Sequence, residues 1–377
     1  MTLGIYIHIP FCLSKCPYCD FNSIVLDTDL AGEYVKSLTE EIRIFSENQT
    51  ENLVVETVYF GGGTPSILKV SQLGGIMKAI FDSFDVKTGA EISSEANPGT
   101  LTEEKVKKLK GLSFNRASLG VQSFEDEELK ILGRAHTSTQ ALKSYKMLRE
   151  YFDNLSLDLI FGIPGQNRNS WRENLNMALK LKPEHLSAYS LTIEEGTPFF
   201  NLWKRGELSL PDEEEVRRMY LESIDLFKAH GYRQYELSNF AQKGFECQHN
   251  LGYWLGQEYI GFGAGAHSCF QGIRWANVKE IRKYIERCKK GFSIIDFQER
   301  LTLSQKINEF IFSGLRMMKG IDLKKLKKSL NFDLEKEKKK EIAELSKGRF
   351  LKRGKDNLRL TRKGILVADS IIQKLVL

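Results

Sequence analysis

The chain has 377 residues, 41% of them hydrophobic and 28% charged, with only eight prolines. That balance describes an ordered globular protein with one large unit and a smaller one, and it excludes a disordered or low-complexity chain. The formal net charge of +6 hides a split: residues 1–280 carry 29 Lys and Arg against 37 Asp and Glu, whereas residues 281–377 carry 26 against 12.

In chain order, strands are expected at 3–9, 54–60, 90–96, 116–121, 155–161 and 185–191. Amphipathic helical runs at 30–45, 71–84, 102–109, 139–152 and 170–181 lie between them. β-α units in series predict an α/β fold with a parallel sheet and helices outside. Six strands are too few for a full eight-stranded barrel, so a partial (β/α)6 barrel is expected. A helix over 211–230 begins with Pro211 and three consecutive glutamates, Glu213 to Glu215. A shorter α/β stretch runs to about 280. From residue 301 the texture is lysine-rich and helical. Two β-like arms around a turn follow at 350–360, then a helix at 362–375, which together predict a winged-helix-like α+β module. The expected division is 1–285 and 286–377.

Ligand-binding residues of such sheets sit at the C-terminal ends of the strands. Cys12, Cys16 and Cys19 follow the first strand, and Gly61-Gly62-Gly63-Thr64-Pro65 follows the second. Glu95-Ala96-Asn97-Pro98 ends the third, Gly120-Val121-Gln122 ends the fourth, and Asp158 lies in the fifth before Gly162-Ile163-Pro164-Gly165. All of these fall on one rim.

Three thiols at C-x3-C-x2-C can converge on one metal centre, and soft ligands suit iron–sulfur or zinc. A structural zinc needs a fourth ligand, yet the remaining cysteines are Cys247, Cys269 and Cys288, far along the chain. A [4Fe-4S] cluster on three cysteines leaves one iron open to a small molecule. The glycines let backbone groups approach a ligand closely. Glu95, Gln122, Arg134 and Asp158 come together if the barrel forms. A carboxylate there can accept from a ribose diol, and Arg134 can grip a carboxylate bidentately. The alternative is a buried Arg134–Asp158 ion pair. His249, in Cys247-Gln248-His249-Asn250-Leu251-Gly252-Tyr253-Trp254, is either a haem ligand flanked by aromatics or a packed core histidine. Cys247 and His267 are its rivals as ligands.

The motifs Tyr-x-His-Ile-Pro-Phe-Cys-x3-Cys-x2-Cys at 6–19, Gly-Gly-Gly-Thr-Pro at 61–65 and Leu-Asp-Leu-Ile-x-Gly-Ile-Pro-Gly-Gln at 157–166 resemble the coproporphyrinogen-III-oxidase-like radical S-adenosylmethionine (SAM) family. Within that family, Cys-Asp-Phe-Asn at 19–22 and His-Asn-x-x-Tyr-Trp at 249–254 most resemble the HemW-type haem chaperones. The similarity spans nearly the whole chain. It implies that Cys12, Cys16 and Cys19 hold a [4Fe-4S] cluster and that Tyr6, Gly62 and Glu95 line a SAM site. Gly63, Thr64, Gln122, Arg134 and Asp158 match further SAM contacts, and the His249 motif is associated with stable haem binding. No residue is given a catalytic role. The expected function is a cytoplasmic haem chaperone that passes haem to an acceptor protein such as a respiratory enzyme. The competing function is an oxygen-independent coproporphyrinogen III oxidase. Against it stand Phe21, where true oxidases carry a further cysteine, and only eleven residues before Cys12 in place of a long extension that closes the site. The basic C-terminal quarter is read as a solvated face or a surface for an anionic membrane, with nucleic acid disfavoured.

Overall fold

The computed structural model describes residues 2–377. Its frame is a 12-stranded sheet whose centre is parallel. Strands β1 (Thr2–Ile9), β2 (Val54–Gly62), β3 (Asp85–Ala96), β4 (Arg116–Gln122), β5 (Leu155–Phe161) and β6 (His185–Ser190) pair in that order, each parallel to the last. Beyond β1 the sheet continues through Tyr259–Phe262, which is parallel, and then the antiparallel His267–Phe270, Ile273–Asn277 and Ile295–Arg300. Beyond β6 it turns antiparallel through Asn239–Ala241.

Strand β3 starts five residues before the expected 90, because Asp85 and Val86 already pair with Val54 and Val55. A register shift then carries the ladder past Lys87-Thr88-Gly89 to Thr57–Glu91. An exposed polar bulge of this kind breaks the hydrophobic alternation that marks a strand.

One face of the six strands is apolar and buried: Leu3, Ile5 and Ile7, Val58 and Phe60, Leu119 and Val121, and Leu155, Leu157 and Leu159 all enter one core. The helices supply its other half. In Thr28–Glu47, Leu30, Tyr34, Leu38 and Ile42 recur at the helical repeat and are buried. Asp27 caps that helix, accepting from the Leu30 amide at 3.0 Å. The opposite face of the sheet is polar, with Tyr6, Tyr59, Glu95, Ser118, Asp158 and Ser187 on it. In a flat sheet, five strand spacings of about 4.8 Å would set the β1 and β6 ends roughly 24 Å apart. Cys12 and Leu191, just past those ends, instead line the same cavity. The sheet therefore curls, with its polar face inward.

The C-terminal unit has its own core, built from residues that include Ile307, Ile311, Leu326, Leu345, Leu358 and Ile372. A hairpin of Leu351–Arg353 and Asn357–Leu360 is extended by Ile321–Asp322 into a three-stranded sheet, with helices around it. The final helix is shorter than expected. A 3-10 turn at Gly364–Val367, where the Thr361 hydroxyl accepts from the Gly364 amide at 3.1 Å, precedes Ala368–Leu375. The expected division at 285/286 falls inside the helix Ile281–Lys290, whose Ile281, Tyr284 and Ile285 pack into the first core. Ile295–Arg300 is bonded to the large sheet. Among the described residues no helix is long and apolar enough to cross a membrane.

Candidate functional site

The curled sheet encloses a cavity of about 530 Å³. Tyr6, Cys12, Cys16, Cys19, Gly62, Gly63, Thr64, Glu95, Gln122, Arg134, Asp158 and His249 all line it. The cysteine loop is held at its mouth by backbone pairing: Phe11 and Cys12 run parallel to Ile24 and Val25. Within the loop, Lys15 donates to the carbonyls of Phe21 and Ser23 at 3.2 and 3.1 Å. Asn22 anchors the loop to distant chain, its Nδ2 donating to the Ala264 and Lys279 carbonyls at 3.0 and 2.9 Å. The His8 Nε2 lies 2.8 Å from the Asn22 carbonyl.

The thiols face specific groups of the opposing loops. The Thr64 hydroxyl donates to Cys12 Sγ at 3.6 Å, and Arg134 Nη1 to Cys16 Sγ at 3.5 Å. Among the described residues no three His, Cys, Asp or Glu side chains crowd together tightly enough to hold one metal ion. A cubane binds its three cysteines through three different irons, so spaced thiols on one loop facing a cavity fit it.

The glycine strap lies close against that loop. A Cβ on Gly63 would meet the Phe11 carbonyl oxygen at 2.7 Å, and Gly62 adopts φ +105° beside the His8 ring. Larger residues at either place would push the strap off the cysteine loop. The two carboxylates deeper in the cavity face hydroxyls. Glu95 accepts from the Tyr59 hydroxyl at 2.9 Å, and loss of water around it pushes its pKa up to about 7. Asp158 accepts from Ser118 at 2.9 Å, Ser156 at 3.1 Å and Ser187 at 2.7 Å, and burial raises its pKa too.

The alternative ion pair between Arg134 and Asp158 does not form. Arg134 instead donates from Nη2 to Asn97 Oδ1 at 2.7 Å and to the Gly120 carbonyl at 3.1 Å. Its Nε and the Gln122 Oε1 are buried without a partner, and Gln122 is held at φ +66°, in the left-handed region. Unsatisfied buried polar atoms cost stability unless a ligand or water answers them. Both belong to residues whose side chains line the cavity.

His249 lies at the other end. The helix Gln248–Trp254 closes the cavity floor, where β1 to β4 begin. Glu91 caps it from β3, accepting from the amides of Gln248 and His249 at 3.0 and 3.1 Å and from the Cys247 thiol at 3.5 Å. The His249 ring is 5% exposed and stacks on Tyr59 at 5.2 Å. Its Nδ1 lies 2.8 Å from Thr57 Oγ1 and its Nε2 2.9 Å from the Tyr253 hydroxyl. Burial, reinforced by the Arg116 charge, pushes its pKa down to about 3, so the ring is neutral. Axial ligation by His249 would require one of these bonds to break. Cys247 is buried and its thiol pushed up to about 12, which keeps it protonated.

Several residues were missed in the sequence. Asn97 bridges Arg134 and Thr64, donating to Thr64 Oγ1 at 2.8 Å. Tyr59 joins Glu95 to the His249 ring. Arg116, 2% exposed at the cavity floor, has an Nε without a partner. The signal was present as polar residues at every second place in β4, β5 and β6: Arg116 and Ser118, Ser156 and Asp158, His185 and Ser187. Fully covered parallel strands are normally apolar on both faces, so this alternation marks a strand face turned to a wet interior.

Residues 6–178 match the Radical SAM superfamily, and residues 301–367 match the HemN C-terminal domain, a span that holds most of the second core. The chain is 38% identical over 372 residues to the heme chaperone HemW of Bacillus subtilis (strain 168), covering 97% of each. It is 36% identical to the heme chaperone HemW of Lactococcus lactis, covering 99% of this chain and 97% of that one. Identity to the HemW of Escherichia coli (strain K12) is 34%, over 84% of this chain and 83% of that one. Among solved structures, coproporphyrinogen III oxidase (HemN) from Escherichia coli superimposes with a TM-score of 0.87 at 23% identity, covering 100% of this chain and 90% of that one, which is a likeness of fold. With a radical SAM frame, a HemN-type C-terminal unit and full-length identity to these relatives, the chain belongs to the HemW family of radical SAM proteins.

Proposed function

We propose that this protein is a haem chaperone that carries a SAM-liganded [4Fe-4S] cluster, binds haem and hands it to an acceptor protein. The observation that carries the cofactor half is one cavity lined by three thiols at its mouth, a close glycine strap beside them, and two carboxylates and an arginine within reach. The chaperone half rests on membership of the HemW family. Phe21 supports it: the side chain is 62% exposed at the edge of the cysteine loop and offers no thiol there.

In this reading Cys12, Cys16 and Cys19 hold the cluster, which when bound supplies one-electron reducing power toward SAM. The strap Gly62-Gly63-Thr64, with Tyr6, receives the amino acid end of SAM. Arg134 orients its carboxylate with a guanidinium already fixed by Asn97 and Gly120. Glu95, Gln122 and Asp158 accept from the ribose hydroxyls. Asn22 and Lys15 keep the loop closed against the cavity. A reducing cytoplasm suits the free thiols, and a haem-dependent respiratory enzyme is the class of acceptor we favour. The exposed lysines of the C-terminal unit form a solvated face able to meet an anionic membrane surface.

The test is anaerobic reconstitution with iron, sulfide and SAM, then haem titration and a product assay on coproporphyrinogen III. Stable haem binding with a shifted absorption band and no decarboxylation supports the chaperone. Decarboxylation without stable haem binding would reassign the protein as an oxidase.

A further inference from the structure

A second cavity, of about 1400 Å³, lies between the Tyr259–Asn277 strands of the large sheet and the C-terminal unit. It exceeds the ~300–1,000 Å³ of ordinary small-ligand pockets. Tyr6, Gly62, Glu95 and Tyr253 line both cavities, so the two adjoin along one wall.

The chemistry of this cleft is that of a flat apolar ligand with an acidic edge and a metal. Trp254, Tyr259, Phe310 and Phe312 give it aromatic walls, and Trp254 Nε1 is buried there without a partner. Lys306, Lys319 and Lys355 line it with exposed side chains. Of the acidic side chains in the cleft, Glu309 holds Arg274 at 2.7 Å, Asp356 holds Lys324 at 2.9 Å, Asp322 accepts from the Lys325 amide at 2.9 Å and Glu258 from the Gln271 amide at 2.7 Å, and none pairs with Lys306, Lys319 or Lys355. The three lysines are thus free for an incoming carboxylate.

The metal ligand follows by elimination. Five of the six histidines place a ring nitrogen within hydrogen-bond distance of a partner, namely His8, His136, His185, His230 and His249. His267 alone, among the described residues, keeps both nitrogens free. It is exposed, lines the cleft, and is held neutral by partial burial and by the nearby Lys279 and Arg274 charges. Neutral imidazole is the form that binds iron. Cys269, on the same strand face, opposes Arg274 in register, and burial raises its thiol pKa, so it remains the protonated and poorer ligand.

Resting on the haem-chaperone reading, we propose that this inter-unit cleft is the haem seat, with His267 the axial ligand and Lys306, Lys319 and Lys355 the partners of the propionates. His249 lines the cysteine-lined cavity and not this cleft, and it meets the cleft only through Tyr253, whose hydroxyl is 2.9 Å from its Nε2.

The test is hemin titration of the full chain, reconstituted with iron, sulfide and SAM, comparing wild type with His267→Ala and with Lys306→Glu/Lys319→Glu. For His267→Ala the expected result is at least tenfold weaker binding and a displaced Soret band, with added imidazole restoring the band. Iron content and SAM binding stay at wild-type values, which a merely misfolded variant would not preserve. The lysine variant weakens binding several-fold with the Soret band in place, a readout that does not depend on His267→Ala folding. Wild-type spectrum and affinity in His267→Ala would overturn the assignment while leaving the chaperone reading intact. Failure of the wild type to bind hemin would overturn both.

Discussion

His249 Nε2 stands 2.9 Å from the hydroxyl of Tyr253, one helical turn further along the same short helix. Residues four apart share a helix face, so the four-residue spacing in His-Asn-x-x-Tyr-Trp is what brings the two side chains together. The pair is then sealed by Thr57 on Nδ1 and by the stacked Tyr59 ring. The motif is a buried hydrogen-bonded plug before it is anything else.

His249→Ala should therefore act on stability. It removes a stacked ring and strands the Thr57 and Tyr253 hydroxyls, a loss of about 2–4 kcal/mol. Tyr253→Phe, which frees only one nitrogen, should cost about 1 kcal/mol. Urea denaturation of the two variants measures the difference. An His249→Ala protein as stable as wild type would show that the plug is not formed in solution.

Glu95 should make stability pH-dependent. Its carboxyl pKa is raised in the fold to about 7 from the usual 4.5, chiefly by loss of water. The folded state thus binds the proton more tightly than the unfolded chain, and stability falls as pH rises from 4.5 through 7. Glu95→Gln should match wild type below pH 4.5 and exceed it by about 2 kcal/mol at pH 8, the full shift being reduced for water in the cavity. Denaturation of both proteins without cofactors across pH 4–9 reads this directly. Parallel pH profiles would contradict it.

Arg134→Lys should separate SAM binding from cluster binding. An ammonium cannot reproduce the fork that contacts Asn97, the Gly120 carbonyl and Cys16 at once. SAM affinity should fall at least tenfold while bound iron stays near wild type. Equilibrium dialysis with SAM and an iron assay on the same sample give both quantities. Undiminished SAM affinity would remove Arg134 from the carboxylate site.

Asn22→Ala should loosen the cysteine loop from outside it. The loss of two hydrogen bonds to Ala264 and Lys279 costs about 1–2 kcal/mol. Bound iron after reconstitution should drop, and proteolysis within residues 13–21 should speed up. Wild-type iron content would mean that the parallel pairing of Phe11 and Cys12 with Ile24 and Val25 is anchor enough.

The sequence by itself determined the elements whose signals are local. Period-two apolar runs placed the six central strands to within a few residues. The crowding of Cys12, Cys16 and Cys19 after β1, and the glycine strap after β2, placed the candidate site residues on one rim, since residues just past parallel strands share an edge whatever the tertiary detail. Alternation failed only where a polar bulge interrupted β3.

Tertiary structure alone decided what the buried polar groups do. The hydroxyl on His249 Nδ1 belongs to a residue 192 positions away, and the carboxylate on its amide to one 158 away. Arg134 and Asp158 could have paired with each other, yet Arg134 found Asn97, just past β3, and Asp158 found Ser187 on β6. A buried imidazole, guanidinium or carboxylate must be satisfied by whichever groups the curled sheet brings within hydrogen-bond range, and that range is a property of the fold and not of the spacing along the chain.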